Sequence, residues 1–379
     1  MSDGLDIAFF GSSLVSAYWN GAATYYRGIL RALAARGHRI TFYEPDAYDR
    51  QAHRDIPDPP WAEVIVYAAD DEAGVRWALA EASRVDLVVK ASGVGVFDEL
   101  LEAAIVDLAR HDGTRPLRAF WDVDAPATLE RAEKNPADPF RAFIPGYDVV
   151  FTYGGGPPVV AGYAALGSRL CVPVYNGLDA DVHRPAPPDP RFTGDLGFLG
   201  NRLPDRERRV EEFFLAPAAA LPALAFVLGG SGWNDKPVPD NVRAIGHVYT
   251  ADHNAFNASS RAVLNVNRDS MARVGHSPAT RVFEAAGAAA CVITDAFIGV
   301  ERFFAPGEEI LVARDGGEVA QILAALTPAR AAAIGEAARR RALAEHTYDR
   351  RATLVEAVLA DLSRGRRAAP VSLGAGAAG

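Results

Sequence analysis

Short apolar runs recur along this chain, each followed by a segment with helical spacing, and they constrain its fold more than any other feature. The first run, LDIAFFG at residues 5–11, leads through a loop into a helical segment that ends at Gly37. A second apolar run, RITFYEPD, follows directly. This order of strand, loop, helix and strand is the repeating unit of a parallel α/β sheet.

Two series of such runs follow each other along the chain. The first half is predicted to contain further strands at 62–68, 85–92, 117–124, 147–153 and 169–177. The second half is predicted to contain strands at 195–200, 224–230, 242–248, 262–268, 289–295 and 309–315. The pattern predicts two Rossmann-like βαβ domains that face a cleft, with ligands bound at the carboxyl ends of the strands.

A stretch rich in proline and aspartate, LDADVHRPAPPDPRFT, separates the two series and is typical of a linker. We therefore predict three successive parts: an N-terminal domain over 1–178, a linker over 179–193 and a C-terminal domain over 194–345. A helix over 346–365 is expected to cross back to the N-terminal domain. Residues 366–379 have the composition of a disordered tail.

Composition and charge exclude several classes of protein. The 379 residues, 49% hydrophobic and 23% charged, suffice for two domains with large cores. A net charge of −9 disfavours a nucleic-acid partner. Neither a membrane-spanning run nor a signal peptide is recognisable, so we expect a cytoplasmic protein. Cys171 and Cys291 lack the spacing of metal or redox sites.

An acid and a base lie at the start of an alanine- and glycine-rich helix, in RVFEAAG. At such a helix start, free N–H groups and the helix dipole attract phosphate. Arg281 can pair with phosphate oxygens, and Glu284 can accept two hydrogen bonds from a vicinal diol. The two residues predict a nucleotide site, with an i,i+3 surface pair as the alternative.

Two further polar groups follow strands of the second half. Asn201, Arg202 and Arg206 surround the helix start at GNRLPDR, where dipole and guanidinium together can hold an anion. A solvated helix face is the alternative. Asn267 and Arg268 follow the apolar strand AVLNV, which suits a ligand site, although a turn has the same composition.

The first strand-to-helix loop, FGSSLVSAYWNG, is the main candidate of the first half. Gly11, Ser12 and Ser13 can let backbone N–H groups approach a phosphate or an acceptor. Trp19 and Asn20 can form a platform for the acceptor, with core packing as the alternative. The loop lacks the GxGxxG pattern, which disfavours a nicotinamide dinucleotide.

The order of motifs resembles the group 1 glycosyltransferases of the GT-B fold, in particular their spore-maturation-protein-like branch. The motifs are FFGSS, GILRALAARGHRITFYEPD, VYNGLDADVHRP, GFLGNR, NVRAIGHVY, RVFEAAG and VITD. The resemblance covers nearly the whole chain. It implies a bacterial enzyme that transfers a sugar from a UDP-type sugar nucleotide to an acceptor, with no metal and no cofactor beyond that co-substrate.

The resemblance also implies roles for individual residues. Glu284 matches the glutamate that holds the ribose hydroxyls, and the loop of His247 matches one that contacts the base. The basic helix start near Arg206 would neutralise the leaving diphosphate. His276 and Ala289 depart from the pattern, since many members carry a glutamate and a glycine there. His276 is therefore expected either to face the diphosphate or to be structural.

Asp122 and Asp124, in FWDVDAPATL, are the candidate catalytic bases on the acceptor side. An inverting transferase needs a base that takes the acceptor proton, whereas a retaining one does not need the same base. For Asp124 the alternative is a turn cap before Pro126. The Asp-x-Asp pair also resembles the metal site of the other glycosyltransferase fold, which the two-domain pattern disfavours.

Two rival functions fit the same scaffold. A sugar-nucleotide epimerase would keep the nucleotide contacts and need no separate acceptor. A non-catalytic ligand-binding protein would need only the cleft. The base, the sugar, the acceptor and the oligomeric state are not determined by these motifs.

Overall fold

The structure, a computed structural model, describes residues 4–109 and 116–365. The first half forms a seven-stranded parallel sheet with the order β3-β2-β1-β4-β5-β6-β7. Its strands are β1 (Asp6–Phe10), β2 (Arg39–Asp46), β3 (Ala62–Ala68), β4 (Leu87–Ala91), β5 (Leu117–Asp122), β6 (Val149–Thr152) and β7 (Cys171–Pro173). The strand order reverses between β1 and β4, which opens a crevice at the carboxyl edge of the sheet.

The second half forms a six-stranded parallel sheet with the order β10-β9-β8-β11-β12-β13. Its strands are β8 (Gly194–Leu199), β9 (Phe226–Gly229), β10 (Val242–Gly246), β11 (Ser260–Asn265), β12 (Val292–Asp295) and β13 (Leu311–Ala313). Each strand-like run predicted above overlaps one of the observed strands. The predicted fold class, two Rossmann-like sheets in the GT-B architecture, is confirmed.

Helices cover both faces of each sheet, as the apolar strands of parallel sheets require. Those packed on the first sheet are α1 (Ala23–Ala35), α2 (Glu72–Ala82), α3 (Asp98–Asp107), α4 (Ala125–Lys134), α5 (Phe140–Phe143) and α6 (Gly156–Ala165). The second half contributes α7 (Pro204–Val210), α8 (Ala216–Ala220), α9 (His253–Ser259), α10 (Asp269–Val274), α11 (Thr280–Gly287), α12 (Gly316–Ala325), α13 (Pro328–Glu345) and α14 (Tyr348–Ser363). A π-helical segment, Glu211–Leu215, joins α7 to α8.

Alternation along the strands divides the first core into two layers, one on each face of the sheet. Phe9 of β1 belongs to the layer that contains Tyr26 and Trp121. The next residue, Phe10, belongs to the layer on the opposite face and stacks on Tyr43. The second sheet is enclosed by two layers in the same way.

Helix α14 packs against α1 of the first half, which confirms the predicted crossing back. Its Ala352, Val355 and Leu359 are buried in the first core. A Cβ atom on Gly28 of α1 would lie 2.1 Å from the Tyr348 ring, so this glycine permits the close approach of the two helices. The chain therefore passes between the halves twice.

The two crossings run side by side. The Leu178 N–H donates to the His346 carbonyl at 2.7 Å, and the Tyr348 N–H donates to the Leu178 carbonyl at 3.0 Å. The predicted domain boundaries stay predictions. The described strands of the two sheets lie before and after residues 178–193, and the predicted tail, 366–379, lies outside the described residues.

Candidate active site

The carboxyl ends of both sheets open into one cleft with a volume of about 950 Å³. Residues before position 178 that line this cleft form its N-terminal wall, and residues after position 193 form its C-terminal wall. Ser12 and Ser92, which follow β1 and β4, belong to the N-terminal wall. Gly200 and Val266, which follow β8 and β11, belong to the C-terminal wall. Both pairs flank the point where the strand order of their sheet reverses, the usual ligand position of open α/β sheets.

Glu284 lies in α11 on the C-terminal wall and is buried. Its Oε1 is 3.7 Å from Nε2 of His183, a residue of the linker. Burial opposes ionisation of this carboxyl, but His183, His253 and Arg281, together with the Thr24 hydroxyl, outweigh it and lower the pKa of Glu284. The cleft therefore holds an ionised carboxylate that can accept hydrogen bonds from a diol.

Arg281 lies one turn before Glu284 and lines the same wall. Its guanidinium lies over the Phe198 ring, 5.7 Å from the ring centre. Within residues 4–109 and 116–365, no carboxylate is within ion-pair distance of this guanidinium, so the i,i+3 surface pair is not formed. Burial, reinforced by the charge of Arg206, lowers the pKa of Arg281 to about 10.

The helix start at GNRLPDR divides its three candidates between the cleft and the outside. Arg206 lines the cleft, and so does Asn201, whose Oδ1 accepts the Ser231 N–H at 2.9 Å. Arg202 does not line the cleft. Its guanidinium donates to Glu207 at 2.8 Å and to Asp235 at 2.9 Å. The structure thus brings Arg206 to the site and commits Arg202 to two carboxylates.

His247 and Arg268 also reach the cleft. The His247 ring lies edge-on to Tyr249, with ring centres 4.5 Å apart, and burial lowers its pKa. Arg268 Nη1 lies 2.6 Å from Asp124 Oδ2, so this pair joins the two walls. The loop IGHVY therefore faces the ligand space, while Arg268 serves as a contact between the halves.

Asn267 and His276 lie behind the cleft surface. Asn267 is buried, and its N–H donates to Asp295 Oδ1 at 3.1 Å. The main chain of His276 accepts the Gly155 N–H at 3.0 Å and donates to the Ile298 carbonyl at 2.6 Å. Neither residue is among those that line the cleft. For His276 this position agrees with the structural alternative rather than with contact to a diphosphate.

The first loop is organised around Glu44 at the end of β2. Its carboxylate accepts the Ser13 hydroxyl at 2.9 Å and the Leu14 N–H at 2.6 Å. Ser13 and Gly11 do not line the cleft. A Cβ atom on Gly11 would lie 2.5 Å from the Phe42 ring, so this glycine serves core packing. Glu44 therefore holds the loop in shape.

Ser12, Asn20 and Trp19 do line the N-terminal wall. The Ser12 hydroxyl donates to Asn20 Oδ1 at 3.0 Å, and Asn20 Nδ2 donates to the Ser13 carbonyl at 2.9 Å. Their polar groups are thus engaged with each other and with the loop. Trp19 is 45% exposed, which leaves its ring available to a ligand.

Asp122 and Asp124 have different surroundings although they are two residues apart. Asp122 is fully buried and accepts hydrogen bonds from the Tyr163 hydroxyl at 2.5 Å and the Thr128 hydroxyl at 3.2 Å. Asp124 lines the cleft beside Arg268. Only Asp124 of this pair faces the cleft. Among the described residues, no group of three or more His, Cys, Asp or Glu side chains is arranged to hold a metal ion.

The sequence motifs did not single out several residues that the structure places at or behind this site. His183 and His253 flank Glu284, and the Thr250 hydroxyl donates across the cleft to Asp55 at 2.6 Å. His183 lies within the quoted stretch VYNGLDADVHRP, so this motif could have indicated it as a candidate site residue. Asp55 lies in a loop without a recognisable motif, and Thr250 directly follows the quoted stretch NVRAIGHVY.

Residues 206–357 match the family model Glyco_trans_1_2, described as glycosyl transferase-like. The match covers less than half of the chain and includes Arg206, His247, Arg281 and Glu284. The chain carries a glycosyltransferase domain on the GT-B fold. No curated protein sequence matches it.

Solved glycosyltransferase structures show the same fold over nearly the full length. Sucrose-phosphate synthase from Thermosynechococcus elongatus superposes with a TM-score of 0.69 at 15% identity, covering 95% of this chain and 99% of that one. HepE from Anabaena, in complex with UDP and glucose, gives 0.67 at 13% identity, covering 94% and 100%. An alpha-glucosyltransferase in complex with UDP and a 13-mer DNA gives 0.65 at 10% identity, also covering 94% and 100%.

In the part of the chain that the structure describes, no helix has both the length and the hydrophobicity needed to cross a bilayer.

Proposed function

We propose that this protein transfers a sugar from a nucleoside-diphosphate sugar, of the UDP type, to an acceptor bound on the N-terminal wall, without a metal ion. The observation that carries the proposal is the pair at the start of α11. There, an ionised, buried Glu284 lies beside an Arg281 that has no carboxylate partner within the described residues.

The C-terminal wall supports the binding of a nucleotide diphosphate. Glu284 would accept hydrogen bonds from the ribose hydroxyls, which bind best to a charged acceptor. Arg281 and Arg206 would contact the diphosphate, whose negative charge increases as the glycosidic bond breaks. His247 and its loop would lie against the base. These roles agree with the match of this half to the glycosyl transferase-like family model.

The N-terminal wall supports an acceptor site. Asp124 is the candidate base for an inverting reaction, in which it would take the proton of the acceptor hydroxyl. Its contact with Arg268 of the opposite wall, at 2.6 Å, would have to loosen for the carboxylate to take that proton. Trp19 offers an exposed ring against which a sugar can pack.

Structural relatives agree with a UDP-type donor, since HepE was solved with UDP-glucose and the alpha-glucosyltransferase with UDP. We also propose membership of the spore-maturation-protein-like branch of the group 1 enzymes, for which the ordered motifs are the support. A cytoplasmic location and a bacterial origin belong to the same proposal.

The decisive experiment measures UDP binding by calorimetry for the wild type, Glu284→Gln and Glu336→Gln. Because Gln keeps the size but removes the charge, Glu284→Gln should weaken UDP binding about 10–100-fold, the loss of hydrogen bonds to a charged group. Glu336 is an exposed glutamate of α13, so its variant is the matched control and should bind UDP as the wild type does.

A folded Glu284→Gln protein with unchanged UDP affinity would contradict the proposal. Product analysis then separates the rival enzyme. Incubation with candidate UDP sugars and acceptors should give sugar on a second molecule and free UDP. A sugar nucleotide that is isomerised without release of UDP would identify an epimerase instead.

A further inference from the structure

Arg50 is a buried arginine on the N-terminal wall whose charge is not compensated by the protein. It lies in the loop after β2, is 7% exposed and lines the cleft. Its Nη1 donates to the Ser12 carbonyl at 3.2 Å, and its guanidinium lies 4.8 Å from the centre of the Tyr48 ring. Its Nε is buried and has no hydrogen-bond partner in the described part of the chain.

The acids nearest to Arg50 are committed elsewhere. No carboxylate of the described residues lies within ion-pair distance of its guanidinium. Glu44, whose charge acts on Arg50 from farther away, already accepts the Ser13 hydroxyl, the Leu14 N–H and the Gln51 amide. Burial lowers the pKa of Arg50, but a guanidinium stays charged at any physiological pH.

Arginines that pair with or belong to the same wall show what compensation by a carboxylate looks like. Arg27 pairs with Asp55 at 2.7 Å, and Arg131 pairs with Asp138 at 2.8 Å. Burying a cation without such a partner is costly, and proteins retain one where a ligand supplies the opposite charge. Arg50 is buried more deeply than Arg131 and still lacks the partner.

We propose that Arg50 binds an anionic group, a phosphate or a carboxylate, that belongs to the acceptor. The inference rests on the proposed transferase function, because it assigns the N-terminal wall to the acceptor. A planar guanidinium matches both anions in geometry and charge. The acceptor is then a hydroxyl compound that also carries a phosphate or a carboxylate. The rest of the acceptor would contact uncharged residues of the wall, such as Trp19 and Gly93.

The test titrates inorganic phosphate into protein saturated with UDP, so that the diphosphate position is already filled. The wild type should bind phosphate, and Arg50→Gln should weaken that binding about tenfold or more, the usual loss for a hydrogen bond to a charged group. Arg50→Lys keeps the charge without the fork and should give an intermediate loss. Arg131→Gln is the matched control and should bind phosphate unchanged.

UDP affinity measured in the same variants shows whether they are folded and where Arg50 acts. It should be equal in the wild type, Arg50→Gln and Arg50→Lys. A loss of UDP affinity in Arg50→Gln would place Arg50 in the nucleotide site and overturn the proposal. Phosphate binding that is absent from the wild type, or equal in Arg50→Gln, would overturn it as well.

Sugar probes then distinguish the acceptor from the donor as the source of the anion. Glucose 6-phosphate or glucuronate should bind the UDP complex at least tenfold more tightly than glucose, and Arg50→Gln should remove the difference. If Arg50→Gln instead weakens only UDP-glucuronate relative to UDP-glucose, the anion belongs to the donor sugar and the assignment to the acceptor is wrong. Absence of UDP binding by the wild type would contradict the proposed function, while phosphate titration of the ligand-free protein would still report on Arg50.

Discussion

The two walls of the cleft treat their charged side chains differently. On the N-terminal wall, acidic side chains are joined to arginines: Asp55 to Arg27, which lies beside the wall, and Asp138 to Arg131. On the C-terminal wall, Arg281 has no carboxylate partner in the described residues, and the charges around the neighbouring Glu284, including that of Arg281, lower the pKa of this acid despite its burial. A wall whose charges are compensated needs no ligand to be stable, whereas the other leaves charge for a ligand to neutralise.

The difference teaches which substrate contributes charge to the site. The C-terminal wall suits the proposed diphosphate, which would bring negative charge to Arg281 and Arg206. The N-terminal wall suits a molecule recognised largely through hydroxyl groups and ring faces, with Arg50 as the exception. The contact between Asp124 and Arg268 joins one residue of each wall, so it is where the two kinds of recognition meet.

The largest expected effect is a loss of turnover when the contact between Asp124 and Arg268 is changed. Asp124→Asn should lower turnover by about 10²–10⁴-fold, because it removes the candidate base, and should leave UDP affinity nearly unchanged. Steady-state kinetics and UDP calorimetry measure the two quantities. Arg268→Gln is the comparison, since it breaks the same ion pair but retains the base.

Equal losses of turnover in Asp124→Asn and Arg268→Gln would mean that Asp124 acts only through the pair. Unchanged turnover in Asp124→Asn would indicate a retaining reaction or a different base. If Asp124→Asn abolished UDP binding, the division of the cleft into donor and acceptor walls would be wrong.

The next prediction compares the same substitution, Arg to Gln, at an arginine without a carboxylate partner and at an arginine with one. Arg281→Gln should weaken UDP binding about 10–100-fold, the loss of a charged contact, and should change uridine binding far less. Arg131→Gln, on the N-terminal wall, should change neither. Calorimetry with UDP and uridine gives both numbers. Equal losses for UDP and uridine in Arg281→Gln would show that Arg281 does not contact the diphosphate.

A smaller effect concerns the crossing that joins the walls. His346 is buried there, accepts the Arg351 guanidinium at Nδ1 (3.1 Å) and donates from Nε2 to the Phe303 carbonyl (2.9 Å). Burial, with the charge of Arg351, lowers its pKa to about 3. It stays neutral in the folded protein, while in the unfolded chain it takes up a proton below pH of about 6.5.

Its contribution to the free energy of unfolding is therefore complete above that pH and is lost progressively as the pH falls towards the folded pKa. Between pH 7.5 and 5, His346→Gln should lose about 1–2 kcal/mol less stability than the wild type, since glutamine can make both contacts without titrating. Urea denaturation at the two pH values measures this difference. An identical pH dependence in both proteins would show that His346 does not titrate on unfolding.

Removal of metal ions is expected to have no effect on activity. Excess EDTA should leave turnover unchanged, because Asp122 is committed to Tyr163 and Thr128, and Asp124 to Arg268. Activity assays with and without chelator check this. If EDTA abolished activity and Mn²⁺ or Mg²⁺ restored it, Asp122 and Asp124 would again be candidates for a metal site. The proposal that Arg281 and Arg206 neutralise the diphosphate without a metal would then be wrong.

Local patterns in the sequence were sufficient for the elements and for their arrangement in two halves. The apolar run at 85–92 contains β4, whose five residues are all buried, because burial of a parallel strand on both faces requires a continuous apolar run. The order of those runs and helices then leaves few topologies, since parallel connections are short and right-handed. The sequence also drew attention to RVFEAAG, where a charged pair opens a helix.

Only the tertiary structure decided which polar residues of each motif face the cleft. Arg202 and Arg206 lie in one short stretch, yet one is held by Asp235 and Glu207 outside the cleft while the other lines it. Asp122 and Asp124 are likewise only two positions apart, yet Asp122 is fully buried while Asp124 lines the cleft. Periodicity is a property of neighbouring residues, whereas the partner of a side chain is set by segments far away in the chain.

The same reason explains the residues that no motif indicated. His183 reaches Glu284 from the linker across 101 positions, and Arg50 becomes a buried cation because loops after β1 and β2 close over it. Whether a charge is compensated depends on every element that packs around it. The sequence by itself determined the two-sheet frame, and the packing of distant segments against that frame determined which charges remain for a ligand.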